Sequence, residues 1–436
     1  MAIGFGAAQG TMPGTDTGSA TWDLTDSNLA TGDGVGMMLV VVGSDAAAGT
    51  ADTARGLLGI GFWDGSNKAG YSSAIEAGGL DTSRSGTTFD IITVREENSA
   101  GDYIKIDESS TLDKGFRLQE TNNDYSDAFN TLAFIVNGSD SNCQAGLISG
   151  SGTDQDITLT GNNKPDFILF TNSWQSGVGG GTDAGLSFGC AVRASDDSYT
   201  NMCIAMSSND GSAASNCYFA GDTEDYCAVE LKDGDTSLDA AYRVTDFTNG
   251  FTLTQAAGSG TTGVAYLAVW LDADYEAKLF EHTNPASDGV QDVTDPGFEP
   301  TCIIEGRLNA TSAGSVLSSG APAEGFALGI HTQNDTFAAA MAYEDGGSQH
   351  NGMSMYTNKA AFCGEYSSGW ADYSSATLQD FDGSGFSYNF SSAPTGQSKG
   401  WVLALRNEAA AVGGTDWKFA AASKRANPPI LGIGRA

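Results

Sequence analysis

Several residue groupings in this chain have types and spacings that could support chemistry. Gly185-Leu186-Ser187-Phe188-Gly189 matches the G-x-S-x-G elbow, which presents a nucleophilic serine on a strand–turn–helix corner beside a histidine and an acid. No helical pattern follows it, and no histidine precedes residue 272. The stretch therefore reads as a strand that happens to contain serine. Only three histidines occur, His282, His331 and His350. His331 and His350 with Cys363 lack zinc-ligand spacing, and all three read as surface or loop residues. Asp233-Gly234-Asp235-Thr236-Ser237-Leu238-Asp239 begins like an EF-hand loop but has Leu238 where glycine is needed and Val244 where the closing glutamate is needed. An irregular calcium loop stays open there, and no other cofactor is expected. Asp380-Phe381-Asp382-Gly383-Ser384 is more simply a turn. Carboxylate pairs such as Asp196-Asp197 and Glu96-Glu97 are too common at this composition to carry acid–base roles. Gly177-Val178-Gly179-Gly180-Gly181 lacks the Lys-Ser/Thr of a phosphate loop and reads as a flexible loop. Trp174, Tyr199, Trp370 and Tyr373 lie near loop-like segments. Trp174 and Trp370 are the candidates for a glycan platform, against a core or interface role for each.

The elements that would have to position such groups form a repeat. Gly115-Phe116-Arg117-Leu118-Gln119 recurs as Gly250-Phe251-Thr252-Leu253-Thr254 and as Gly385-Phe386-Ser387-Tyr388-Asn389, 135 residues apart both times. Other anchors keep the same order. Lys164-Pro165-Asp166-Phe167-Ile168-Leu169 matches Glu299-Pro300-Thr301-Cys302-Ile303-Ile304, with Met37-Met38-Leu39-Val40-Val41 as the first copy. Leu132–Val136 matches Leu267–Trp270 and Leu403–Leu405, and Leu57-Leu58-Gly59 matches Ser187-Phe188-Gly189 and Ala327-Leu328-Gly329. Three tandem units follow, about 1–138, 139–272 and 273–407, with an arm at 408–436. Short apolar runs broken by Gly, Ser, Asn and Asp make each unit an all-β sandwich. Helices are expected only at Tyr275–Glu281 and near Trp417–Arg425. Three such units could stand as beads or pack around a pseudo-threefold axis.

The chain has 436 residues, 58 of them glycine, and 20 Lys+Arg against 54 Asp+Glu, a net charge of −34. That balance argues against nucleic-acid recognition, which needs clustered basic side chains. No apolar run approaches the roughly 20 residues of a membrane span, and the first residues lack a signal-peptide pattern. The seven cysteines form no C-x-x-C pair and read as buried thiols. Residues 406–436 carry five basic and two acidic side chains, a net +3, which leaves −37 on the body. An extended basic arm, with Lys418, Lys424, Arg425 and Arg435 as candidate subunit contacts, could lie on a neighbouring acidic copy.

The strands Lys164–Phe170, Thr245–Leu253 and Val264–Val269, repeated as Phe298–Ile304, Asp380–Tyr388 and Gly400–Leu405, resemble β-sandwich repeats of structural proteins in tailed-phage particles. Unit one departs from the pattern: it lacks the proline, and Asp113-Lys114-Gly115-Phe116 matches only in part. The resemblance implies a non-enzymatic virion protein, assembled in the host cytoplasm, whose partners are copies of itself and other virion proteins. It carries over no catalytic residue. A tail subunit, of the tube or associated with it, is favoured over a capsid decoration protein. The alternative is an adhesin that binds a receptor or host-surface glycan through its aromatic loops.

Overall fold

A computed structural model describes residues 3–406 apart from 13–19, 30, 44–54, 77–81, 89, 96–102, 124–128, 140–141, 150–153, 161–162, 174–178, 182, 209–214, 222–224, 232–236, 260–262, 272–274, 310–312, 319–323, 344–352, 367–369 and 393–397. The C-terminal arm, with Lys418, Lys424, Arg425, Arg435 and the helix expected near Trp417, lies outside the described residues, as does Trp174.

The chain is all-β: three tandem sandwich units, with no helix among the described residues. Unit one comprises β1 (Gly4–Met12), β2 (Thr21–Thr25), β3 (Gly34–Gly43), β4 (Arg55–Trp63), β5 (Lys68–Glu76), β6 (Thr82–Thr87), β7 (Ile92–Arg95), β8 (Tyr103–Leu112), β9 (Gly115–Asn123) and β10 (Phe129–Asn137). The larger sheet runs β1-β10-β3-β4-β5-β6 and the smaller β2-β9-β8-β7, antiparallel throughout. Unit two, from Cys143–Ser149 to Gly263–Val269, and unit three, from Glu276–Thr283 to Lys399–Arg406, repeat this order strand for strand. The segment expected to be helical, Tyr275–Glu281, is instead the edge strand Glu276–Thr283, paired along its length with Lys399–Arg406. Backbone pairing to a buried strand overrides the high helix propensity of Ala, Lys and Leu there.

The anchor glycine has a steric cause. A Cβ at Gly115 would lie 2.0 Å from the Leu24 carbonyl oxygen, one at Gly250 2.0 Å from that of Ile157, and one at Gly385 1.8 Å from that of Val293. In each unit the second strand is the hydrogen-bonded neighbour of the strand this residue opens, and its carbonyl lies where a side chain would start. The phenylalanine that follows, Phe116, Phe251 or Phe386, is fully buried between the sheets.

The units are not beads. The outer faces of the three larger sheets meet in one continuous apolar core. Phe5 packs edge-on to Phe167 at 6.1 Å, and Phe188 tilts against Trp401 at 4.9 Å. Contacts run in a cycle. The third and fourth strands of unit two abut β5 and β6, those of unit three abut Tyr199–Ser208 and Ser215–Ala220, and β3 and β4 abut Thr336–Tyr343 and Met353–Tyr356 of unit three. This is a pseudo-threefold closed ring within a single chain. Two backbone additions tie it. Gly179–Gly181 of unit two pairs with β6 of unit one, and Leu317–Ser318 of unit three pairs with Ser215–Ala220 of unit two. Gly179–Gly181 is thus a strand and not a free loop, because a ladder position uses only backbone groups and glycine leaves them unobstructed. Side chains add further ties: Asp64 Oδ2 accepts from the Ala145 amide at 2.8 Å, and Tyr275 donates to the Ile3 carbonyl at 2.7 Å.

Candidate functional site

Strand register places equivalent residues of the three units side by side and exposes one conspicuous difference. In unit three, His282 pairs with Gly400, Gly400 with Arg307, and Glu305 with Gly329, beside His331. The same positions hold Ile148, Asn172, Phe170 and Ala191 in unit two, and Met12, Gly43, Val41 and Gly61 in unit one. On the smaller sheet Tyr388 takes the place of Leu253 and Leu118. The sandwich interior that is mostly apolar in two units is ionic in the third.

Side chains alternate across a strand, so Glu305 and Arg307, two residues apart, both point between the sheets. Glu305 accepts four hydrogen bonds: Arg307 Nε at 2.8 Å and Tyr388 Oη at 3.0 Å on Oε2, and the Ala361 amide at 2.6 Å and His331 Nε2 at 2.9 Å on Oε1. Arg307 continues the network through Nη1 to Asn284 Oδ1 at 2.8 Å and Nη2 to His282 Nδ1 at 2.9 Å. Asn284 Nδ2 then donates to Ser374 Oγ and to the Ala361 carbonyl. Ala361 itself sits at φ +47°, a left-handed conformation costly for a residue with a Cβ. It is held there between these two bonds. Glu305, Arg307, His331, Asn284 and Tyr388 are at most 1% exposed.

The charges follow from this enclosure. Burial alone would raise the Glu305 carboxyl, but the Arg307 charge and the His331 bond outweigh it and hold the group well below the usual carboxylate range. Burial and the neighbouring guanidinium push His282 down to about 3, so its imidazole is neutral and Nδ1 accepts from Arg307. Burial, then the Glu305 charge, raises the Tyr388 phenol far above its ordinary value, which keeps it a donor. Burial opposes the Arg307 charge and Glu305 more than restores it. The arrangement joins the first and third strands of the larger sheet to the smaller sheet through one carboxylate. Every member is enclosed, so its chemistry is structural: a fixed ion pair with fixed tautomers.

His282 and His331 are not the surface or loop residues expected from the sequence. Both are buried, at 6% and 0% exposure, with one ring nitrogen of each bonded, His282 Nδ1 to Arg307 and His331 Nε2 to Glu305. Cys363 lies apart from this network, its thiol directed to the Gly325 carbonyl, and His350 lies outside the described residues. Among those residues no group of three or more His, Cys, Asp or Glu side chains is arranged to hold a metal. Residues 233–236 of the calcium candidate, and Glu96-Glu97, are likewise outside them. Ser187 sits mid-strand and buried, its Oγ accepting from the Val229 amide at 3.3 Å. Asp382 caps the turn at Ser384 and Gly385 as expected. Asp197 pairs with Lys164 and Arg193, and Asp196 binds Ser198. All seven cysteines are buried free thiols. Trp370 is half-buried, tilted against Phe362 at 6.4 Å with Nε1 donating to Tyr356 Oη at 3.4 Å. A shallow opening between units two and three is lined by Asp166, Arg193, Ser195, Leu271, Tyr275 and Glu276. Its guanidinium is already committed to Asp166, Asp197 and the Pro165 carbonyl.

Comparison with protein-family models, with curated proteins and with solved structures finds no match.

Proposed function

We propose that this chain is a non-enzymatic structural subunit of a tailed-phage particle, a tail protein in the first instance and a capsid decoration protein in the second. The observation that carries the reading is the closed ring of three like sandwiches. One chain presents a body of near-threefold shape, suited to a symmetric position in an assembly whose interfaces repeat. The enclosed polar cluster around Glu305 ties sheets together and is sealed from solvent, which suits a building block. The acidic surface suits a component past which DNA must slide without sticking. Its partners are then copies of itself and other virion proteins. Electron micrographs of the purified protein and of intact particles test this. Rings, tubes or density for a three-lobed body on the particle are expected. A persistent monomer that is also missing from particles overturns the reading.

A further inference from the structure

Lys359 lies immediately before the strand Ala360–Tyr366, and Asp372 lies in its neighbour Trp370–Asp382, in the smaller sheet of unit three. Their side chains are in direct contact, Nζ to Oδ2, and are only 20% and 28% exposed. The Lys359 ammonium rests on the face of Tyr356, 3.6 Å from the ring centre, and 5.1 Å from that of Phe362. The second oxygen of Asp372, Oδ1, accepts a hydrogen bond from the Tyr356 hydroxyl at 3.1 Å, and Trp370 Nε1 donates in turn to that hydroxyl. Among the described residues, the pairs of Lys68 with Asp107, Lys164 with Asp197 and Asp246, and Lys399 with Glu281 have neither an aromatic face under the amine nor a phenol on the carboxyl group.

We propose that Lys359 and Asp372 condense to an isopeptide bond, a covalent cross-link made by the chain's own side chains. The ion pair is the reactant. One proton passes from Nζ to Oδ2 across their contact. The neutral amine attacks Cγ, and the Tyr356 hydroxyl holds the negative charge that develops on Oδ1. The C–N bond forms, the Cγ–Oδ2 bond breaks, and Oδ2 leaves as water, taking its own proton and one from nitrogen. Nothing is oxidised or reduced, and no cofactor takes part. Holding amine and carboxyl in contact replaces an encounter in solution with a unimolecular step, which supplies the driving proximity. Tyr356 touches the reacting carboxyl group and is the catalytic residue of the step, and Trp370, which donates to its hydroxyl, is the positioning residue. This accounts for the half-buried tryptophan without a sugar ligand.

Intact-mass measurement of the full chain under denaturing conditions tests this, independently of any role in a particle. After allowance for the initiating methionine, the wild-type protein is expected to be lighter than its sequence by one water molecule. A digest should yield a branched peptide joining Lys359 to Asp372. The Lys359→Arg and Asp372→Ala variants should both return to full sequence mass. Wild-type protein at full sequence mass, with Lys359 labelled by an amine-reactive reagent after denaturation, overturns the proposal. So does a missing water that persists in either variant.

Discussion

Replacing Arg307 by methionine would remove the guanidinium while keeping an unbranched side chain of similar reach. Glu305 would then lose its Nε donor and its counter-charge while still enclosed, and His282 and Asn284 would each lose a donor. Breaking a buried ion pair by deleting one partner costs about 3–5 kcal/mol, because the remaining charge stays out of water. Replacing the network's five titratable members together is a different perturbation. Unit two shows what the same sandwich holds without it: Ile148, Phe170, Asn172, Ala191 and Leu253. The fivefold variant His282→Ile, Glu305→Phe, Arg307→Asn, His331→Ala and Tyr388→Leu should therefore lie within about 2 kcal/mol of wild type or above it, since well-packed apolar substitutes often match or exceed a buried pair. Urea unfolding would be followed by hydrogen exchange at Cys302–Leu308, so that the signal belongs to unit three even if the units unfold in separate steps. An Arg307→Met cost below about 1 kcal/mol would refute the claim that the surrounding protein isolates this carboxylate.

The pH dependence follows from the same cluster. His282 is held neutral, with its pKa near 3 against an ordinary 6.5, so the unfolded chain takes up a proton that the fold refuses. Stability should fall as pH drops below about 6.5, by up to about 1.4 kcal/mol per pH unit for this group, and more steeply below about 4.5, where unfolded Glu305 also protonates. Urea midpoints between pH 7 and pH 4 check this, and His282→Phe should flatten the upper part of the slope. Gly306→Ala would place a Cβ 2.7 Å from the Trp401 indole in the shared core, and a loss of about 1–3 kcal/mol is expected in the same assay. Gly180→Pro disrupts the short strand added to β6; amides of Thr82–Thr87 should exchange faster while those of Cys302–Leu308 keep their protection.

The repeat was legible because its anchors are local. A glycine that must clear a carbonyl, followed by a buried phenylalanine, recurs at a fixed interval, and the aligned strands proved to share one register. The strand at Glu276–Thr283 was misread because its Ala-Lys-Leu-Phe run suits either state, and only pairing with Lys399–Arg406 decides between them. The ionic network was invisible to motif reading, since His282, Glu305, Arg307, His331 and Tyr388 are scattered over three strands of the larger sheet and one of the smaller. A signal did exist in the aligned copies: Glu305-Gly306-Arg307 interrupts an apolar strand where the others have Phe170-Thr171-Asn172 and Val41-Val42-Gly43. Two charges inside a strand flanked by Cys302-Ile303-Ile304 and Leu308 needed a buried partner, and the two sparse histidines supplied part of it.

The backward additions of Gly179–Gly181 and Leu317–Ser318 set a timetable for the nascent chain. The ribosome delivers unit one complete in its own ten strands, yet β6 keeps an open hydrogen-bonding edge until residue 181 has emerged. Ser215–Ala220 waits in the same way for residue 318. At each stage the exposed edge is a template that another polypeptide could occupy, so polysomes crowded with this message face their greatest hazard of cross-pairing between chains midway through synthesis. Each arriving unit removes that hazard from the one before it.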